Sequence, residues 1–106
     1  MVAYEQRWSA RATPGIHLLC TAYFHEDWML DDASADDVVR RFCVSEAPNL
    51  VRQTAVDISR TLTSDISEAE LALLVEHLGT NYWPQADGLS YRAWLSRILV
   101  HFPVAG

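Results

Sequence analysis

Apolar residues recur at every third or fourth position through most of this chain, and this helical spacing constrains its fold more than any other feature. Five stretches carry such a stripe, and short polar links separate them. The stripes consist of Ile16, Leu19, Cys20 and Tyr23; Val38, Val39, Phe42 and Cys43; Val51, Ala55, Ile58 and Leu62; Leu71, Leu74, Val75 and Leu78; and Tyr91, Trp94, Leu95, Ile98 and Phe102. Helices joined by short links form a compact all-α fold, so we predict a single bundle of four to five short helices.

Signals for the start and end of helices support these boundaries. Pro14 and Pro48 can each take the first position of a helix, where the missing N–H costs nothing. Ser67, followed by Glu70 three residues later, has the pattern of a capping box. Gly79 can then take the left-handed conformation that often ends a helix. Further expected N-cap residues are Thr13, Ser34 and Ser90.

The length of 106 residues fits one domain, and the hydrophobic half of the chain can form a core without disulfides. We therefore predict a single domain over residues 1–106, in which residues 1–13 form an N-terminal segment without an evident stripe. Cys20 and Cys43 have apolar neighbours, so we expect reduced core thiols rather than a redox pair. The aromatic side chains expected in the core are Tyr23, Trp28, Tyr91 and Trp94.

The net charge limits the class of partner. Fourteen acidic and eight basic residues give a formal charge of −6. A protein that binds nucleic acid regardless of sequence needs cations against the phosphates, so direct nucleic-acid binding is not expected. A basic protein partner is favoured instead. The N-terminus lacks the basic start and apolar run of a secretory signal, and no apolar run approaches about 18 residues, so we expect a cytoplasmic protein that does not contact the membrane.

One segment concentrates the negative charge. Residues 23–37, with the sequence YFHEDWMLDDASADD, hold six carboxylates and no Lys or Arg. These carboxylates belong to Glu26, Asp27, Asp31, Asp32, Asp36 and Asp37. The segment has two interpretations: a solvated connector whose aspartates cap the next helix, or a docking surface for a basic protein. Charge runs are usually solvated, so the residues alone favour the connector somewhat.

Catalytic and metal-binding patterns are missing from the chain. His25 and Glu26 begin like an HExxH zinc motif, but Met29 stands where the second histidine is required. The aspartates of residues 23–37 lack the glycine and the spacing of a calcium-binding loop. No serine lies in a nucleophile elbow. We therefore predict no catalytic residue, no metal site and no cofactor, and conclude that the chain is not an enzyme.

Two motifs, one after the other along the chain, resemble those of a known family. Residues 22–28, AYFHEDW, precede the acidic segment, and residues 78–99, LGTNYWPQADGLSYRAWLSRIL, end the chain's helical part. Together they resemble the small helical immunity proteins of bacterial contact-dependent growth inhibition, the CdiI proteins, from about Pro14 onward. The matching residues are Tyr23, Phe24, Asp27, Trp28, Gly79, Gly88, Tyr91, Trp94 and Leu95.

The resemblance implies a function in which the chain catalyses nothing. Such a protein binds the toxic C-terminal domain of a sister cell's surface protein, often a nuclease, and blocks its access to substrate. A monomer that forms a one-to-one complex with this basic toxin domain is the simplest expectation. Because the motifs are shared among proteins that face different toxins, they are expected to hold the fold, with Asp27 hydrogen-bonded to backbone near the first helix end and Trp28 packed beneath.

The residues expected to face the toxin are therefore those that the members of the family do not share. An acidic surface can mimic phosphate in a cationic nuclease groove, which raises the docking interpretation above the connector. We expect the partner-binding residues to be Asp31, Asp32, Asp36 and Asp37, with Glu26 as a weaker candidate and Tyr82 and Trp83 as anchors if they are exposed.

Two other functional classes remain open at the level of the sequence. A helical adaptor or regulatory subunit could use the acidic segment to dock on a different basic protein. A small hydrolase could use the clustered carboxylates, although no nucleophile accompanies them. A toxin reading frame directly upstream of the gene would favour the immunity protein, and divalent-dependent turnover of a small substrate would favour the hydrolase.

Overall fold

The computed structural model describes residues 12–103. This part of the chain consists of helices and irregular segments and contains no strand. The α-helices are α1 (Pro14–Leu18), α2 (Trp28–Asp31), α3 (Ala35–Ser45), α4 (Pro48–Thr63), α5 (Glu68–His77) and α6 (Tyr91–Ile98). A π-helical turn, Leu19–Tyr23, continues α1, and 3-10 turns cover Pro84–Asp87 and Leu99–His101. The all-α prediction is confirmed. Most of the N-terminal segment, residues 1–11, lies outside the described residues.

The described residues contain six α-helices where four to five were predicted. The additional one is α2, a single turn inside the acidic segment that the sequence interpretation treated as a link. Its first residue, Trp28, is buried, and the indole N–H donates a 2.9 Å hydrogen bond to the carbonyl of Asn81. This one side chain attaches the helical turn to the core. Tertiary packing of this kind stabilises a helix that is too short to form on its own.

Most of the predicted helix ends are confirmed by hydrogen bonds. The Ser67 hydroxyl accepts from the Glu70 N–H while the Glu70 carboxylate accepts from the Ser67 N–H, which completes the capping box. The hydroxyls of Ser34 and Ser90 each accept from a backbone N–H of the following turn. Thr13 differs from the prediction, because it precedes α1 without a side-chain capping bond. Further confirmed positions are Pro14 and Pro48 at helix starts and Gly79 in the left-handed region.

An aromatic cluster around Phe24 forms the centre of the core. The Phe24 side chain is fully buried, and its ring centroid lies 5.6 Å from Trp28, 5.2 Å from Tyr82 and 5.7 Å from Trp94. The cluster joins the end of the first helical segment, α2, the loop after α5, and α6. The predicted core side chains Tyr23, Trp28, Tyr91 and Trp94 are all buried.

The remaining helices pack around this cluster. α4 contacts α1, α3 and α6, and α5 pairs with α6. The Glu68 carboxylate accepts from the backbone N–H groups of Tyr91 and Arg92, so the first turn of α5 satisfies the start of α6. Cys20 is buried and Cys43 is half-buried, and both thiols are free, as predicted. Among residues 12–103 no helix is both long enough and apolar enough to cross a membrane.

Candidate partner-binding surface

Asp32 forms an internal ion pair. The guanidinium of Arg41 donates to its carboxylate through Nε and Nη2, with the shortest contact at 2.7 Å. The Asp32 side chain is only 9% exposed, and the Arg41 guanidinium also lies 4.7 Å from the Tyr23 ring centroid. The hydrogen bonds that Arg41 donates to the Asp32 carboxylate raise the pKa of Arg41 above its ordinary value. The Asp32 charge is therefore balanced inside the protein.

Asp36 is balanced by two groups near the C-terminal end of α6. Arg97 donates to one carboxylate oxygen at 2.7 Å, and the His101 ring nitrogen lies 3.1 Å from the other. The hydrogen bond from Arg97 lowers the pKa of Asp36 below its ordinary value, and partial burial opposes this shift. The pair connects the start of α3 to the end of α6, so Asp36 contributes to the tertiary structure.

Asp37 is paired more weakly and on the surface. Its carboxylate accepts from Arg40, one helical turn later, at 2.7 Å, and both side chains are exposed by more than two fifths. Exposed pairs of this kind contribute at most about 1 kcal/mol to stability, because water screens them. Asp37 remains accessible, but a cation already lies beside it.

Asp31 pairs with a histidine rather than an arginine. Its carboxylate lies 2.9 Å from His25 Nε2, and the other ring nitrogen, Nδ1, accepts a 3.0 Å hydrogen bond from the Asp27 N–H. The Asp31 side chain is 53% exposed, so its carboxylate faces solvent, and it forms no ion pair with an arginine of the described residues.

Glu26 and Asp27 are also exposed, and their carboxylates make no hydrogen bond or ion pair with any residue that the structure describes. The expectation that Asp27 hydrogen-bonds backbone at the helix end is wrong for its side chain, since only its N–H does so, to His25. Trp28 packs in the core as expected. The carboxylates of the acidic segment that form no ion pair with an arginine of the described residues are therefore those of residues 26, 27 and 31.

Two large apolar side chains stand among these carboxylates. Met29 is 70% exposed and Leu30 is 84% exposed. The sequence analysis did not select either residue as partner-binding. Their position in the sequence could have identified them. Successive side chains of a helix point in different directions, so a single turn that buries Trp28 directs the next two side chains away from the core. We call Glu26, Asp27, Met29, Leu30 and Asp31 the α2 patch.

The two loop aromatics predicted as anchors differ from each other. Tyr82 is 4% exposed, packs in the aromatic cluster and donates a 2.7 Å hydrogen bond to Asp87. Burial raises the pKa of Tyr82, and the Asp87 bond raises it further. Trp83 is 55% exposed. In this conformation a partner can reach the side chain of Trp83 but not that of Tyr82.

A known family model matches this chain over most of its length. The family model described as CdiI immunity protein matches residues 12–102. This chain belongs to the CdiI immunity protein family. No curated protein and no solved structure shows a significant match to the chain. CdiI immunity proteins bind cognate toxin partners, and the family is generally non-enzymatic.

The CdiI motifs coincide with the core of the protein. The motif residues with buried side chains are Tyr23, Phe24, Trp28, Tyr91, Trp94 and Leu95. Their burial indicates that these motif residues contribute to the fold. Residues 12–103 contain no group of three side chains able to hold a metal ion.

Proposed function

We propose that this CdiI immunity protein neutralises the toxin domain of its own contact-dependent growth inhibition system by one-to-one binding in the cytoplasm. We further propose that the toxin is a basic nuclease whose substrate groove is blocked in the complex. The observation that carries this proposal is the α2 patch, where three exposed carboxylates that form no ion pair with an arginine of the described residues flank two exposed apolar side chains along the chain.

A cationic groove would be attracted to such a surface. Nuclease grooves present Lys and Arg to phosphates, and an acidic protein surface can take the place of those phosphates. Opposite charge speeds encounter between the partners, while apolar contacts slow dissociation once they are made. Among the carboxylates expected to face the toxin, Glu26, Asp31 and Asp37 are accessible, whereas Asp32 and Asp36 are occupied by internal ion pairs.

Co-expression tests this function. Cells that express the toxin domain encoded beside this gene should die unless they also express this chain, and the tagged chain should co-purify with the toxin in equal amounts. A toxin domain from an unrelated inhibition system serves as the control and should remain lethal. Death of the cells without a complex would contradict the proposal and leave the helical adaptor as the better interpretation.

A further inference from the structure

Three large exposed apolar side chains lie on α2 and on the loop that is hydrogen-bonded to it. Met29 and Leu30 are adjacent on α2, and Trp83 lies on the neighbouring loop. The loop and the helix are joined through Asn81, whose carbonyl accepts from the Trp28 indole and whose N–H donates to the Phe24 carbonyl at 2.9 Å. Exposed apolar side chains grouped in this way mark interaction sites on soluble proteins.

The frame beneath these side chains is fixed before any partner arrives. Trp28 and Tyr82 pack edge-to-face at 5.7 Å, and both rings contact Phe24. The exposed residues Leu30 and Trp83 therefore extend from backbone that is held by the aromatic cluster. A preorganised surface loses less conformational entropy on binding, which favours tight association.

The charge around the apolar side chains specifies the occupant. Glu26, Asp27 and Asp31 form no ion pair with an arginine of the described residues, whereas Asp32, Asp36 and Asp37 each pair with one. The carboxylates without an arginine partner thus lie in and just before α2, and not at the start of α3. The surface therefore complements a protein that presents several cations around an apolar pocket.

We infer that the α2 patch together with Trp83, rather than the aspartates at the start of α3, is the centre of the surface that binds the basic toxin domain. This inference rests on the proposed function. Leu30 and Trp83 enter an apolar pocket of the toxin, and Glu26, Asp27 and Asp31 meet the cations around it. Asp32 and Asp36 keep their internal ion pairs in the complex.

The test measures association and dissociation rates of single variants with a catalytically inactive form of the toxin domain encoded beside the gene. Leu30→Ala and Trp83→Ala should each raise Kd roughly tenfold or more through faster dissociation. Leu73→Ala is the matched control, because Leu73 is a 56% exposed leucine on α5, and it should change Kd less than about twofold.

Charge variants test the other half of the inference. The triple variant Glu26→Gln, Asp27→Asn, Asp31→Asn should slow association at low salt roughly tenfold, and high salt should remove most of the difference. Asp65→Asn is the control and should leave the association rate nearly unchanged, and Asp37→Asn should slow association less than the triple variant does. Circular dichroism verifies that each variant is folded.

The possible outcomes separate the inference from the function on which it rests. Tight binding by the wild type with unchanged rates for Leu30→Ala, Trp83→Ala and the triple variant would overturn the α2 surface while leaving toxin neutralisation intact. A larger effect of Asp37→Asn than of the triple variant would move the centre to α3. A wild-type chain that fails to bind the toxin domain at all would overturn both.

Discussion

Asp36 and Arg97 form a 2.7 Å ion pair that joins the first turn of α3 to the last turn of α6, across 61 positions of the sequence. His101 contacts the second oxygen of the same carboxylate. The carboxylate that the sequence places in an acidic surface run is thus one of the tertiary connections of the fold. Stability should therefore depend on its ionisation.

Asp36 should make the protein less stable in acid. The hydrogen bond from Arg97 lowers the Asp36 pKa in the folded state below its ordinary value of 3.8. As the pH falls, the unfolded chain binds the proton first, so the contribution is complete above the unfolded pKa and is lost as the pH falls through the folded pKa. Asp36→Asn should reduce the loss of unfolding free energy between about pH 5 and about pH 2, measured by urea denaturation. An acid dependence identical to that of the wild type would contradict this role, and Asp65→Asn is the control.

Asp32 should matter more for stability than Asp37. Asp32→Asn removes the buried partner of a bidentate pair, whose arginine side chain is 41% exposed, and should lower the free energy of unfolding by about 1–3 kcal/mol. Asp37→Asn removes an exposed pair and should cost at most about 1 kcal/mol. Chemical denaturation of both variants measures the difference. Equal effects would show that the Arg41 pair is no stronger than a surface pair.

The internal ion pairs also determine the effect of reversing the charges of Asp31, Asp32, Asp36 and Asp37 at the same time. If these four aspartates formed only a docking surface, the variant would weaken toxin binding without unfolding the domain. The structure instead places Arg41 against Asp32 and Arg97 against Asp36, so reversal would put like charges together. We now expect a loss of thermal stability, which makes the fourfold variant a poor test of binding.

Trp94 should be among the most costly residues to truncate. Its side chain is 2% exposed and packs against Phe24 and Tyr82. Trp94→Ala should lower the free energy of unfolding by about 3–5 kcal/mol. Trp94→Phe should cost less, because the buried indole N–H has no hydrogen-bond partner among the described residues and its removal loses no bond there. Full thermal stability of Trp94→Ala would show that the side chain is not part of the core.

Gly15 should resist enlargement, because α1 passes very close to α4 at this position. A Cβ added there would lie 1.6 Å from Thr54 Oγ1, which no small movement can relieve. Gly15→Ala should lower the free energy of unfolding by about 1–3 kcal/mol. Thr54→Ala in the same chain should recover part of that loss by removing the clashing hydroxyl, and a double-mutant cycle measures the coupling. Purely additive effects would contradict the close approach.

The local features of this fold could be predicted from the sequence, and the tertiary pairing could not. Ser67 and Glu70 form their capping box within four residues, so the pattern is sufficient to identify it. The charge balance of the acidic segment depends on Arg97, which becomes a neighbour of Asp36 only after α3 and α6 have packed. Counting Lys and Arg only within residues 23–37 therefore gives too large a number of carboxylates without a cationic partner.

The candidate surface shows the same limit. Tyr82 and Trp83 are adjacent aromatic residues in one loop, and the sequence offers no reason to separate them. Packing against Phe24 buries Tyr82 and leaves Trp83 exposed. The sequence likewise does not distinguish Leu30 from a core leucine. The structure does, because Trp28 takes the only buried position on α2.

The most direct test of the central claim is a titration of toxin activity. The toxin domain encoded beside this gene is mixed with total cellular RNA and DNA, and degradation is measured as this protein is added. We predict that degradation falls in proportion to the added protein and stops at one equivalent, with bovine serum albumin as an inert control. Undiminished degradation in the presence of excess protein would contradict neutralisation by stoichiometric binding.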